Sequence, residues 1–179
     1  MLVVETKSIT NSSSQQIDPY DFMYVEKLLK FCQIVMNKQE MTEFIINEKF
    51  AQCSFDNAEV HRRFYSGQER GSDWDGIWEA EINIYYDPGT VIGYTNKGST
   101  VININTYTIP MTSRDKDIAN RVGNLVHEYC HLVGMTHSPS WQWWRKKSMR
   151  RSAPYKIGSM AKRIARNLLE MEEVKWTDL

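Results

Sequence analysis

The feature that most constrains this chain is an eleven-residue stretch, His127-Glu128-Tyr129-Cys130-His131-Leu132-Val133-Gly134-Met135-Thr136-His137, which holds three of its four histidines. On a helix, residues four apart lie one above the other, so His127 and His131 present two imidazoles from one face. Glu128 is carried beside them. Gly134 stands where such a helix would end, because glycine takes the left-handed conformation that closes a helix at little steric cost. The chain can then reverse and return His137 as a third nitrogen. Three neutral imidazoles suit a zinc ion, and three protein ligands leave a fourth position for water, the arrangement of a catalytic rather than a structural site.

The segment resembles the HExxHxxGxxH zinc signature of the metzincin metallopeptidases, with all five defining positions present. The resemblance implies one α/β (α+β) domain of metzincin-like zincin type, with a mixed twisted sheet, an active-site helix and a C-terminal helix. A cleft would separate an upper part, about 1–134, from a lower part, about 135–179. It implies Zn²⁺ on His127, His131 and His137 and Glu128 as general base. The base takes a proton from the attacking water and returns it to the leaving amine, so the expected reaction is endopeptidase cleavage. The strand Val91–Thr95 would form the edge facing the cleft and pair with an extended peptide, although which of the last two strands is the edge stays open.

Metzincins also place a methionine in a tight turn below the metal. Met160, after Gly158-Ser159 and before a helical run over 161–172, is preferred to Met149 for that position. Tyr155 is a conditional oxyanion donor, the alternative being a packing aromatic in a proline turn. Residues 154–158 also resemble a segment of small zinc-peptidase-like proteins of bacteria and phages.

Elsewhere the pattern supports the same architecture. Residues 2–9 read as a β-like opening and 11–17 as a loop. Asp18-Pro19 starts a helix to about 37, with Phe22, Val25, Leu28, Leu29, Cys32, Val35 and Met36 on one face. Phe44–Ile46 fits strand or helix, and 58–65 a short helix. Strands are expected at 80–86, 91–95 and 100–107, with a turn at Asn96-Lys97-Gly98. A polar cap around Ser113–Asp115 then starts the histidine-bearing helix, whose Ile118, Val122, Leu125, Val126, Tyr129, Leu132 and Val133 keep helical spacing.

Length and charge exclude several classes. The 179 residues suit one compact core, and 22 basic against 22 acidic residues give no global attraction to nucleic acid or an acidic membrane. No apolar run spans a bilayer and no secretory signal starts the chain, so the default expectation is a cytoplasmic monomer, with phage origin or non-classical export left open. Three cysteines make no disulfide framework, and Cys130 reads as a buried hydrophobe rather than a ligand. His61 and the Asp73–Gly76 turn are given no role.

The neutral total conceals a basic run: residues 141–166 hold nine Lys or Arg and no acid, headed by Trp141, Trp143 and Trp144. The preferred reading makes the tryptophans the lower wall of the cleft and the charges a solvated face. A separate expectation for a peptidase is that the segment contacts substrate beyond the scissile bond, with Arg145 and Lys146 as the residues to test. Two other readings remain: a catalytically silent zinc-containing binding module, and a protein that binds single-stranded nucleic acid through this run.

Overall fold

The computed structural model describes residues 1–12, 18–50, 53, 55–67, 75–88, 91–107, 115–137 and 150–179. The chain begins with strand β1, Val3–Asn11, and continues through helices α1, Pro19–Met36, α2, Gln39–Asn47, and α3, Asn57–Ser66. Strands β2, Ile77–Tyr85, β3, Gly93–Thr95, and β4, Val101–Asn105, follow. Helices α4, Asp115–Leu132, and α5, Ala153–Glu170, and a short 3-10 turn at Trp176–Asp178 complete an α+β fold.

The four strands form one mixed sheet in the order β1-β2-β4-β3, with β1 parallel to β2, β2 parallel to β4, and β3 antiparallel to β4. Of the last two strands it is therefore β3 that forms the edge. β2 alternates as expected, Trp78, Ala80, Ile82 and Ile84 facing the core and Glu79 and Glu81 facing out. Tyr86, expected as its last residue, lies beyond it and is exposed.

β3 and β4 are shorter than their apolar patterns suggest, and Asn105 is the reason. Its amide donates to the carbonyls of Asp87 (2.8 Å) and Val91 (3.0 Å), and its carbonyl oxygen accepts from Tyr107 N–H (3.0 Å). Those backbone groups are satisfied without a ladder, so the chain leaves the sheet on both sides.

α1 starts as its sequence indicates, the Asp18 carboxylate accepting from Tyr20 N–H at 2.8 Å with proline in the first turn. Phe22, expected inside, is exposed; the buried face instead takes in Tyr24 and Phe31, which pack against Trp176 from the C-terminal turn. The 44–46 ambiguity resolves as helix, α2 burying Met41 and Ile45 four residues apart. α3 is capped by Asp56 and closed by Gly67 at φ +64°.

α4 buries Ile118, Val122, Leu125, Val126, Tyr129 and Leu132, and Val133 just after it is buried as well. Tyr129 stacks on Trp78 and donates to the Phe64 carbonyl at 2.8 Å, which ties α4 to the sheet and to α3. α5 corrects one expectation. It begins at Ala153, not Ala161, so Gly158, Ser159 and Met160 are helical and Met160 occupies no turn. The reason is close packing: a Cβ on Gly158 would come within 2.6 Å of the Gly123 carbonyl oxygen, so glycine serves here to let α5 approach α4. Met149 and the cap residues Ser113 and Arg114 lie outside the described residues. No described helix is long and apolar enough to cross a membrane.

Candidate metal centre

The turn after α4 is built to bring a third imidazole to the first two. Gly134 has φ +87°, Met135 N–H donates to the Cys130 carbonyl (2.9 Å), and Gly134 N–H donates to that of His131 (3.1 Å). These two bonds form a Schellman closure, which satisfies the last carbonyls of the helix and reverses the chain. Three residues later His137 faces the helix it has just left.

The ring nitrogens converge. His137 Nε2 lies 3.1 Å from His131 Nε2 and 3.2 Å from His127 Nε2. Tetrahedral zinc with Zn–N bonds near 2.05 Å separates its ligand nitrogens by about 3.3 Å, so the spacing suits that ion. All three rings are oriented from behind. His131 Nδ1 lies 2.8 Å from the Met135 carbonyl, His137 Nδ1 lies 2.9 Å from Ser152 Oγ, and His127 bonds to the Pro154 carbonyl. A carbonyl can only accept, so Met135 fixes the proton of His131 on Nδ1 and leaves its Nε2 as a bare lone pair.

Electrostatics agree with neutral ligands. Burial, reinforced by the neighbouring rings, pushes His127 down to about 3 and His137 down to about 4; burial also lowers His131. Three ring nitrogens crowded toward one point, with the His131 and His127 protons drawn to carbonyls behind them, are an unfavourable arrangement that a cation between them relieves. The donor set therefore fits a metal ion held by His127, His131 and His137.

Glu128 is 7% exposed and borders an open cavity of about 380 Å³ together with His127 and Tyr155. Burial pushes its carboxyl up to about 7, Thr95 of the edge strand pulling the other way. A dication nearby would draw it back toward the ionised form. Tyr155, in the first turn of α5, lays its ring against His127 and His137, with centroids 4.6 and 4.7 Å away.

The structure thus gathers His127, Glu128, His131, His137 and Tyr155 in one place. Met160 is buried in α5, where its sulfur accepts from Arg163 at 2.8 Å. Cys130 is fully buried with its thiol pushed well up by desolvation, and is outside the histidine cluster. His61 packs on Tyr65. The tryptophans at 141, 143 and 144, with Arg145 and Lys146, lie outside the described residues.

Two contributors escaped the sequence reading. Ser152 occupies the N-cap position of α5 yet caps nothing, its hydroxyl serving His137 instead. The signal was present, because Ser152-Ala153-Pro154 has the form of a helix start with proline in the first turn. Thr95 had no comparable signal.

No family model and no curated protein matches the sequence. Among solved structures, a zinc peptidase from Grifola frondosa is similar at a TM-score of 0.47 and 12% identity, over 84% of this chain and 97% of that one.

Proposed function

We propose that this protein is a zinc-dependent endopeptidase of metzincin type, with His127, His131 and His137 as ligands and Glu128 as general base. The observation that carries the reading is the convergence of three imidazole nitrogens beside a buried carboxyl that borders the same cavity as His127. When bound, zinc supplies Lewis acidity, polarising a carbonyl and making water acidic near neutral pH.

The chain's own groups do the rest. Glu128 accepts the proton of the attacking water and passes it to the leaving amine, its ionised form being favoured by the dication. Tyr155, whose ring lies against His127 and His137, would donate its hydroxyl to the oxyanion that develops on the scissile carbonyl. An extended peptide would lie beside β3, which among the described strands pairs only with β4 and so offers a free edge next to Glu128.

The test is zinc content together with cleavage of a mixed peptide library by the native chain and by Glu128→Gln at equal zinc loading. One zinc per chain and loss of cleavage in the variant is the expected result. One zinc with no cleavage by either protein would replace this reading with a zinc-containing binding module.

A further inference from the structure

The cavity beside the cluster extends well past the reacting groups. From α4 it is lined by Asn120, Gly123, Asn124 and His127, and from α5 by Tyr155, Gly158, Ser159 and Lys162. Both sets follow helical spacing, so two facing stripes form a groove that runs about 10 Å from the histidines to Asn120 and Lys162. Its middle is bare because Gly123 and Gly158 meet there. Its far end is polar.

Lys162 is the charged group at that end. Its Cβ and Cα lie against Gly123, where an added Cβ would come within 2.8 and 3.5 Å, so the root of its side chain rests on the floor of the groove. Its ammonium forms none of the ion pairs among the described residues, whereas Lys156 on the same helix pairs with Glu48. Among the described lining residues Glu128 is the sole acid, at the opposite end. Asn120, Asn124 and Ser159 add side-chain donors that form no hydrogen bond among the described residues.

We infer that this groove is a subsite for a substrate carboxylate, with Lys162 as its specificity-determining residue. An ammonium rooted on the groove floor and without an ion-pair partner among the described residues, flanked by amide and hydroxyl donors in a groove open to the reacting groups, recognises an anion by charge-assisted hydrogen bonds. A basic side chain there would leave two cations facing each other. The carboxylate comes from an acidic side chain or from the C-terminus of the substrate. The inference rests on the peptidase reading, and its test separates the two.

Binding is measured to zinc-loaded Glu128→Gln protein, which keeps peptides intact. The probes are amidated octapeptides with a single Glu, Gln or Lys moved through each position, and free-acid forms of the Gln series. At one position Glu should bind about tenfold or more tighter than Gln if a side chain is read, and if a terminus is read the free acids should gain as much over their amides. Lys162→Met should bring the ratio close to one, Lys162→Arg should keep it, and Lys162→Glu should turn the preference toward Lys. Equal binding of all probes, or discrimination that survives Lys162→Met, would overturn the inference. Selective binding with no cleavage by the wild-type chain would leave the subsite standing and remove the peptidase reading. Cleavage indifferent to acidic residues would do the reverse.

Discussion

Gly123 of α4 and Gly158 of α5 meet backbone to backbone, and the histidine cluster depends on that contact. A Cβ at Gly123 would approach the Gly158 carbonyl oxygen to 2.8 Å, and one at Gly158 would come within 3.0 Å of His127 Cβ. Glycine within a helix ordinarily costs up to about 1 kcal/mol relative to alanine, so Gly158→Ala should stabilise α5 if propensity decided the matter. Overpacking decides it instead, at roughly 1–3 kcal/mol in the other direction. Gly158→Ala should lower the unfolding midpoint and weaken zinc binding together, because the displaced wall is His127. Thermal unfolding with and without zinc checks both; a midpoint that rises would mean the helices can part at no cost.

Ser152→Ala separates metal orientation from folding. The hydroxyl lies 2.9 Å from His137 Nδ1 and does not cap α5. Removing it should leave the helix in place while freeing His137 to rotate, and zinc affinity should drop about tenfold or more. Competition with a chromogenic chelator gives the affinity, and far-ultraviolet circular dichroism shows whether the helix persists. An unchanged affinity would show that the Ser152 contact does not orient the ligand.

What could be read from the sequence was local. Coordination by His127, His131 and His137 spans only eleven residues, so helical geometry and one glycine suffice to derive it. The Asp18 cap and the alternation of β2 are legible for the same reason. Gly158-Ser159 was misleading because one residue type serves two purposes: glycine marks turns, and it also permits close helix contact, and only Gly123 on the facing helix distinguishes them. Asn103 and Asn105 alternate with isoleucine and look solvent-facing, yet they are 7% and 0% exposed, since partners remote in sequence satisfy their amides. Such groups become readable only when the fold is known.

Asn105 should accordingly be among the polar positions least tolerant of change. It also accepts from Asp87 N–H at 3.2 Å, so Asn105→Leu would remove four hydrogen bonds to the backbone around the approach to β3. A loss of about 2–4 kcal/mol in unfolding free energy is expected. Denaturant unfolding measures it, and hydrogen exchange should show the loss of protection first near residues 87–95. A variant within about 0.5 kcal/mol of the native chain would mean that water replaces those bonds without penalty.

The pair of Glu48 and Lys156 ties the end of α2 to α5, with Lys156 Nζ 2.6 Å from the Glu48 carboxylate. That hydrogen bond, helped by the Lys49 backbone N–H and the lysine charge, holds the Glu48 carboxyl below its ordinary value of 4.5. A carboxyl depressed in the folded state binds its proton more readily when unfolded. Its stabilisation is therefore complete above pH 4.5 and disappears as pH falls through the lower folded value. Both side chains are about a quarter exposed, which screens the interaction to about 0.5–1 kcal/mol. Unfolding free energies of the native chain, Glu48→Gln, Lys156→Met and the double variant, measured at pH 7 and pH 3, isolate the pair. The coupling should be present at pH 7 and reduced at pH 3; equal coupling at both would show that the contact acts through packing of the lysine stem rather than through charge.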